Sequence, residues 1–97
     1  VDVQVLDLRS LQPWDVERVC EAVRQTGRCV VANEAPRTCG YAAEVVATVT
    51  EQCFDWLQAP VLRVTGWDTP FPYTLENAYL PDPQRVAAAV LKTAKFA

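Results

Sequence analysis

The sequence contains no histidine. That removes the commonest general base, proton shuttle and zinc ligand among side chains. Glycine is scarce as well, with only Gly27, Gly40 and Gly66 present. No G-x-G-x-x-G or G-x-x-x-x-G-K-[ST] phosphate loop can be assembled from them. The expectation is a domain that is not a self-contained enzyme. The four cysteines, Cys20, Cys29, Cys39 and Cys53, are spaced 9, 10 and 14 apart and include no C-x-x-C pair. Structural zinc sites draw their ligands as close pairs, and disulfide scaffolds are denser in cysteine than this chain. Lys and Arg total 9 against 12 Asp and Glu, for a net charge of −3, so the basic footprint that nucleic acid demands is missing. No apolar run approaches the roughly 18 residues of a membrane span, and no signal peptide is expected.

What remains is ordinary globular material. Apolar residues make up 51 % and charged residues 22 % of 97 residues, which suits one domain and argues against disorder. A chain of this size buries roughly 65 % of its unfolded surface, enough for one modest core. It opens at Val1 rather than Met, which suggests a piece or processed product of something longer.

Local patterns then give an order of elements. Val3 to Leu8 is a short β-rich run. Asp15 is the expected N-cap of a helix in which Val16, Val19, Cys20 and Val23 share one face, and Gly27 stands where a left-handed residue ends it. Cys29 to Ala32 is an uninterrupted apolar strand, as in a parallel sheet covered on both faces. Ala42, Val45, Val46, Val49, Cys53 and Leu57 mark a long helix closed by Pro60, and Val61 to Thr65 makes a third strand. Trp67 to Pro81 packs three prolines and four aromatics into fifteen residues, too many breakers for a regular element. Pro83 opens a last helix with Val86, Ala89, Val90 and Ala94 on one face. Strands alternating with helices predict an α/β three-layer α/β/α sandwich on a mainly parallel sheet. Three strands make a narrow sheet whose edges need another strand or chain to cover them. Cys20, Cys29 and Cys53 read as small buried hydrophobes in a reducing compartment. Cys39 lies in the loop before a helix, a place that can lower a thiol pKa, but no base sits beside it. Trp14 and Trp56 are expected in the core.

Three ordered motifs carry a family resemblance: L-D-L-R-S-L-Q-P-W-D-V-E (6–17), N-E-A-P-R-T-C-G-Y-A-A-E (33–44) and R-V-T-G-W-D-T-P-F-P (63–72). Together they resemble the C-terminal, transketolase-type domain of the beta subunit of thiamine-diphosphate 2-oxo acid dehydrogenases. The second and third motifs favour the branched-chain members over the pyruvate members. The same domain of a pyruvate dehydrogenase beta subunit or of a transketolase-family enzyme is the alternative. A free-standing nucleotide or flavin module would need a Gly-rich first turn, where this chain has R-S-L-Q-P-W-D. In the family the domain begins one strand and one helix earlier, so residues 1–97 are expected to be a partial domain. Many relatives place His where Asn33 stands, which leaves only neutral hydrogen bonding at that position.

The resemblance implies an enzyme whose cofactor, thiamine diphosphate with Mg, is bound outside this segment, so no catalytic, cofactor-binding or metal residue is expected here. It implies partners instead: an alpha subunit and a second beta subunit in a two-alpha, two-beta assembly, and an acyltransferase core that docks through its small subunit-binding domain. Neither nucleic acid nor a membrane is implied. Relatives dock that domain through an acid before an A-P pair and through the chain end. The matching positions are Gln58, Phe96 and Ala97, with Asp55 as a substitute acid for the neutral Gln58. Trp67, Phe71, Tyr73 and Tyr79 are candidate subunit contacts, in competition with a role in the domain's own core. Glu34, at the carboxyl end of the second strand, is a candidate loop organiser that pairs with Arg37 or Arg63. Asp68, at the corresponding end of the third strand, is expected to cap the turn that starts the proline-aromatic loop, with a subunit contact as the alternative. The implied location is the mitochondrial matrix if the source is eukaryotic and the cytoplasm if it is bacterial.

Overall fold

The computed structural model describes residues 1–96. Its first helix, α1 (Val16–Thr26), starts where Asp15 accepts a hydrogen bond from the Arg18 N–H at 3.1 Å. It stops at Gly27, whose φ of 74° lets the cap N–H reach the Val23 carbonyl at 2.7 Å. Strand β1 (Val30–Pro36) follows, then α2 (Tyr41–Cys53), a 3-10 turn at Phe54–Trp56 and strand β2 (Leu62–Gly66). After β2 come a second 3-10 turn (Tyr73–Leu75), the single-turn helix α3 (Glu76–Tyr79) and α4 (Pro83–Ala94). Helix α4 opens on Asp82, which accepts from the Arg85 N–H at 2.7 Å, with Pro83 in the first turn. Proline belongs there because its missing N–H has no intrahelical partner in any case.

Strands β1 and β2 pair in parallel, with Val30 opposite Leu62 and Ala32 opposite Val64. One layer of helices, α1 and α2, closes the principal core of Val19, Cys20, Val23, Val45, Val49 and Cys53, onto which Val31 and Val61 pack. Helix α4 packs across both strands, with Val86 and Ala87 lining a hollow beside the exposed Ala32. Side chains alternate along a strand, so Val31 and Ala32 face opposite sides. The second face is covered over β2, where Val64 is buried, while Ala32 of β1 stays exposed; helices on both sides of a parallel sheet make the predicted α/β sandwich.

Four expectations need correction. Val3 to Leu8 forms no strand, because β1 and β2 pair only with each other and a strand exists only through backbone pairing. The sheet thus has two strands, and Val1, Val3 and Val5 are exposed. Helix α2 ends at Cys53 instead of running to Leu57, tightening into a 3-10 turn that the Leu57 N–H closes on the Phe54 carbonyl at 3.2 Å. The segment Trp67 to Pro81 does hold short regular elements, the 3-10 turn and α3, fitted between its prolines. Trp56 is not core: it is half exposed, and the Arg24 guanidinium lies 5.2 Å from its ring centre. Trp14 does pack on the core.

All four cysteines are free thiols. Burial pushes the Cys29 thiol up to about 11, and burial together with the neighbouring Cys53 thiol does the same for Cys20. Cys39 is exposed, with a φ of 60°.

Candidate functional site

Parallel strands give the sheet two distinct ends, and the candidate residues divide between them. At the amino end, Arg28 follows Gly27 and precedes β1, while Gln58 precedes β2. The two chain segments are joined there by the Gln58 N–H, which donates to the Gly27 carbonyl at 2.8 Å. The half-buried Arg28 then uses three different nitrogens. Its Nε donates to the Thr93 carbonyl at 2.7 Å, one terminal nitrogen to Gln58 Oε1 at 2.6 Å, and the other to the Phe96 carbonyl at 3.2 Å. One guanidinium thus clasps the end of α4 and the Gln58 side chain together. A planar fork with five donors suits such a junction, and a lysine could not reproduce it. Gln58 and Phe96 are both exposed at this corner. Ala97 lies outside the described residues. Asp55 is exposed in the 3-10 turn just before, with no ion pair among the described residues.

The carboxyl end of the sheet carries the other candidates. Asp68 reaches from the end of β2 to the loop after β1, accepting from the Thr38 N–H at 2.9 Å and from the Thr38 hydroxyl at 2.5 Å. These bonds, first the hydroxyl and then the amide, hold the Asp68 carboxyl below its ordinary range, with Arg37 assisting. The residue therefore organises two loops at once, beyond the single turn expected of it. Glu34 is exposed, and neither expected ion pair forms: Arg63 donates instead to the Arg37 carbonyl at 2.8 Å.

Of the four candidate aromatics, the structure divides the group. Tyr79 is buried, at 5 % exposure. A Cβ at Gly66 would lie 2.6 Å from its Cε1 atom, so the ring rests directly on the glycine backbone. For Tyr79 the burial favours the second of the two roles weighed for these rings, that in the domain's own core. Phe71 stands edge-on to Tyr79 at 5.2 Å and to Tyr73 at 5.5 Å between ring centres. Tyr73 is 86 % exposed, and Phe71 and Trp67 are about half exposed. The Trp67 indole donates to the Ala78 carbonyl at 2.9 Å and lies under the Arg85 guanidinium at 4.6 Å. The loop is thus pinned at both ends, with Trp67, Phe71 and Tyr73 left on its outer surface.

Sequence reasoning missed Arg28, Thr38 and Arg85. Arg28 acts on residues 30 to 68 positions away, a relation that no local spacing encodes. Only its position directly after the helix-ending glycine could have hinted at it.

Residues 1–86 match the family described as transketolase, C-terminal domain, and the chain belongs to that family. Within it, the chain is 55 % identical over 89 residues to a protein of Pseudomonas aeruginosa named 2-oxoisovalerate dehydrogenase subunit beta, a match that takes in 92 % of this chain and 25 % of that one. It is 50 % identical over 93 residues to the mitochondrial protein of that name from Dictyostelium discoideum, covering 96 % of this chain and 25 % of that one. A third relative, at 52 % over 89 residues, 91 % of this chain and 26 % of its own, is named pyruvate dehydrogenase E1 component subunit beta, from Leifsonia xyli. The chain spans about a quarter of the length of these relatives. The likeness read from the three motifs, to the branched-chain dehydrogenase beta subunits, stands on these matches.

Proposed function

We propose that the chain is the C-terminal assembly and docking domain of the beta subunit of a thiamine-diphosphate-dependent 2-oxo acid dehydrogenase. On this reading the full-length enzyme oxidatively decarboxylates branched-chain 2-oxo acids and passes the acyl group to lipoyl groups of an acyltransferase core. The observation that supports it most is the Arg28 clasp, which gathers Gln58 and Phe96 on one exposed corner. Those are two of the positions that the family resemblance associates with acyltransferase docking. The outward aromatics at the opposite end of the sheet supply a second contact surface, suited to an alpha subunit or a second beta subunit.

The residues of this chain do not fit a magnesium diphosphate. Among the described residues, no three His, Cys, Asp or Glu side chains are grouped so that they could hold a metal ion, and no glycine-rich phosphate loop is present. On this reading, as the family resemblance implies, thiamine diphosphate belongs to another part of the full-length protein. What these residues do is hold shape: Arg28 fixes the end of α4, and Asp68 ties the two loops that follow the strands. The open outer edge of β1 is the natural seat for a further strand and helix, which would make residues 1–97 a partial domain. The setting would be the mitochondrial matrix in a eukaryote and the cytoplasm in a bacterium. A pyruvate-specific enzyme is the second reading, favoured by the name of the Leifsonia relative.

The test is a binding titration of the assembled alpha–beta enzyme with the acyltransferase subunit-binding domain. Loss of Ala97 should weaken binding. Gln58→Glu should strengthen it, but by less than the roughly 2–5 kcal/mol of a buried interfacial ion pair, because Arg28 already occupies that side chain. Unchanged affinity in both variants would overturn the docking reading. Turnover of a branched-chain 2-oxo acid against pyruvate by the same enzyme decides between the two substrate readings.

A further inference from the structure

Among the described residues, strand β2 has a neighbour on one side only. The Leu62 N–H donates inward to the Cys29 carbonyl at 3.2 Å. In a parallel ladder alternate residues turn both backbone groups to opposite sides, so Arg63 presents its N–H and C=O to the outer edge. A groove of about 280 Å³ is lined there by Val61, Leu62, Arg63, Arg37, Ala88, Ala89 and Lys92. Val61 and the first two residues of β2, Leu62 and Arg63, share this one groove although successive side chains alternate, so it follows the edge of the strand and not its face. Its lining mixes small apolar side chains with polar surface. Its charged residues are all cations, in a chain whose net charge is −3. Among the described residues none of the three forms an ion pair. Asp68, which Arg37 influences, is committed to Thr38.

We infer that this groove is a docking surface for an acidic, extended segment of a partner protein, which adds as a strand to the outer edge of β2. Exposed edges accept such additions through main-chain hydrogen bonds, while side-chain pockets and charges select the sequence. Apolar side chains of the guest would rest on Val61, Leu62, Ala88 and Ala89, and its carboxylates would face Arg37, Arg63 and Lys92. This surface is separate from the Arg28 corner and extends the assembly reading to a second kind of contact.

The probe is a fluorescent peptide of alternating Glu and Val, six residues long, titrated into the full-length beta-type protein without its partners, with a Lys-for-Glu peptide as control. The Glu peptide should bind at least about tenfold more tightly than the Lys peptide, a difference of about 1.4 kcal/mol. It should also slow exchange of the Arg63 amide proton. Charge reversal by Arg63→Glu with Lys92→Glu should invert the preference, and Lys92→Glu alone, at an exposed site, should reduce it. Equal binding of the two peptides, an Arg63 amide whose exchange is unaffected, full displacement of the peptide by millimolar inorganic phosphate, or self-association that covers the edge would each overturn the inference. Undiminished acyltransferase docking in Arg28→Met, with peptide binding also retained, would count against the corner alone.

Discussion

Replacing Arg28 by Met would remove every donor of the clasp while keeping much of the apolar stem. The bond to the Thr93 carbonyl is partly buried, and losing such a charge-assisted contact costs about 1.5 kcal/mol. The bonds to Gln58 and Phe96 are exposed, and water replaces them at a cost of about 0.5 kcal/mol between them. The total is about 2 kcal/mol, or about a thirtyfold rise in local opening of the last turn of α4. Amide exchange reads this directly. The Lys95 N–H is bonded to the Leu91 carbonyl at 3.0 Å and the Phe96 N–H to the Thr93 carbonyl at 3.3 Å. Both should exchange faster by that factor, while amides in the middle of α2 keep their rates. Arg28→Lys should fall between, since one ammonium cannot serve three acceptors in three directions. If Lys95 and Phe96 in Arg28→Met exchange within about twofold of the parent protein, the end of α4 is held by something else and the reasoning fails.

Other outcomes follow from the same geometry. Gly66→Ala would drive a methyl group into Tyr79 and to within 2.7 Å of the Glu34 carbonyl, so urea denaturation should show a loss of about 2–3 kcal/mol. Tyr73→Ala should leave stability within about 0.5 kcal/mol, because the ring is exposed, while sedimentation should show weaker subunit association. Asp68 has a depressed pKa in the fold, so its contribution is complete above its ordinary value of 3.8 and is lost as pH falls through the lower folded value; Thr38→Val should return the carboxyl titration towards 3.8 in an NMR experiment. The thiols of Cys20 and Cys29 are raised from 9.0 to about 11, so they favour the fold below pH 9 and that support fades as pH climbs through the folded values. Peptide mapping after brief iodoacetamide treatment of the native protein should therefore find Cys39 labelled well before either.

The helices were legible because their signals are local. Asp15, Gly27 and Pro83 each act within a turn of their own position, and the structure places each at the terminus its chemistry dictates. The strands were less so. The run from Val3 to Leu8 has strand composition, yet composition cannot supply the neighbouring backbone that a strand needs. The site was half legible. Gln58 and Phe96 were named through family likeness, but what unites them is a side chain from a third segment. Exposure of the aromatics was undecidable from spacing, because the seat of Tyr79 depends on how closely the backbone at Gly66 can be approached. Asp68 was placed correctly at the loop, while its partner, Thr38, lies 30 positions away.

The braced aromatic loop has a calorimetric consequence. With Tyr79 already seated on Gly66, and Phe71 held edge-on between two rings, a partner meets a surface that has already lost its conformational freedom. Association there should give a negative heat-capacity change that scales with the apolar area covered, without the added increment seen when a disordered segment folds as it binds. Loosening the seat, as in Tyr79→Leu, would turn the same contact into one whose affinity falls because the loop must first be ordered.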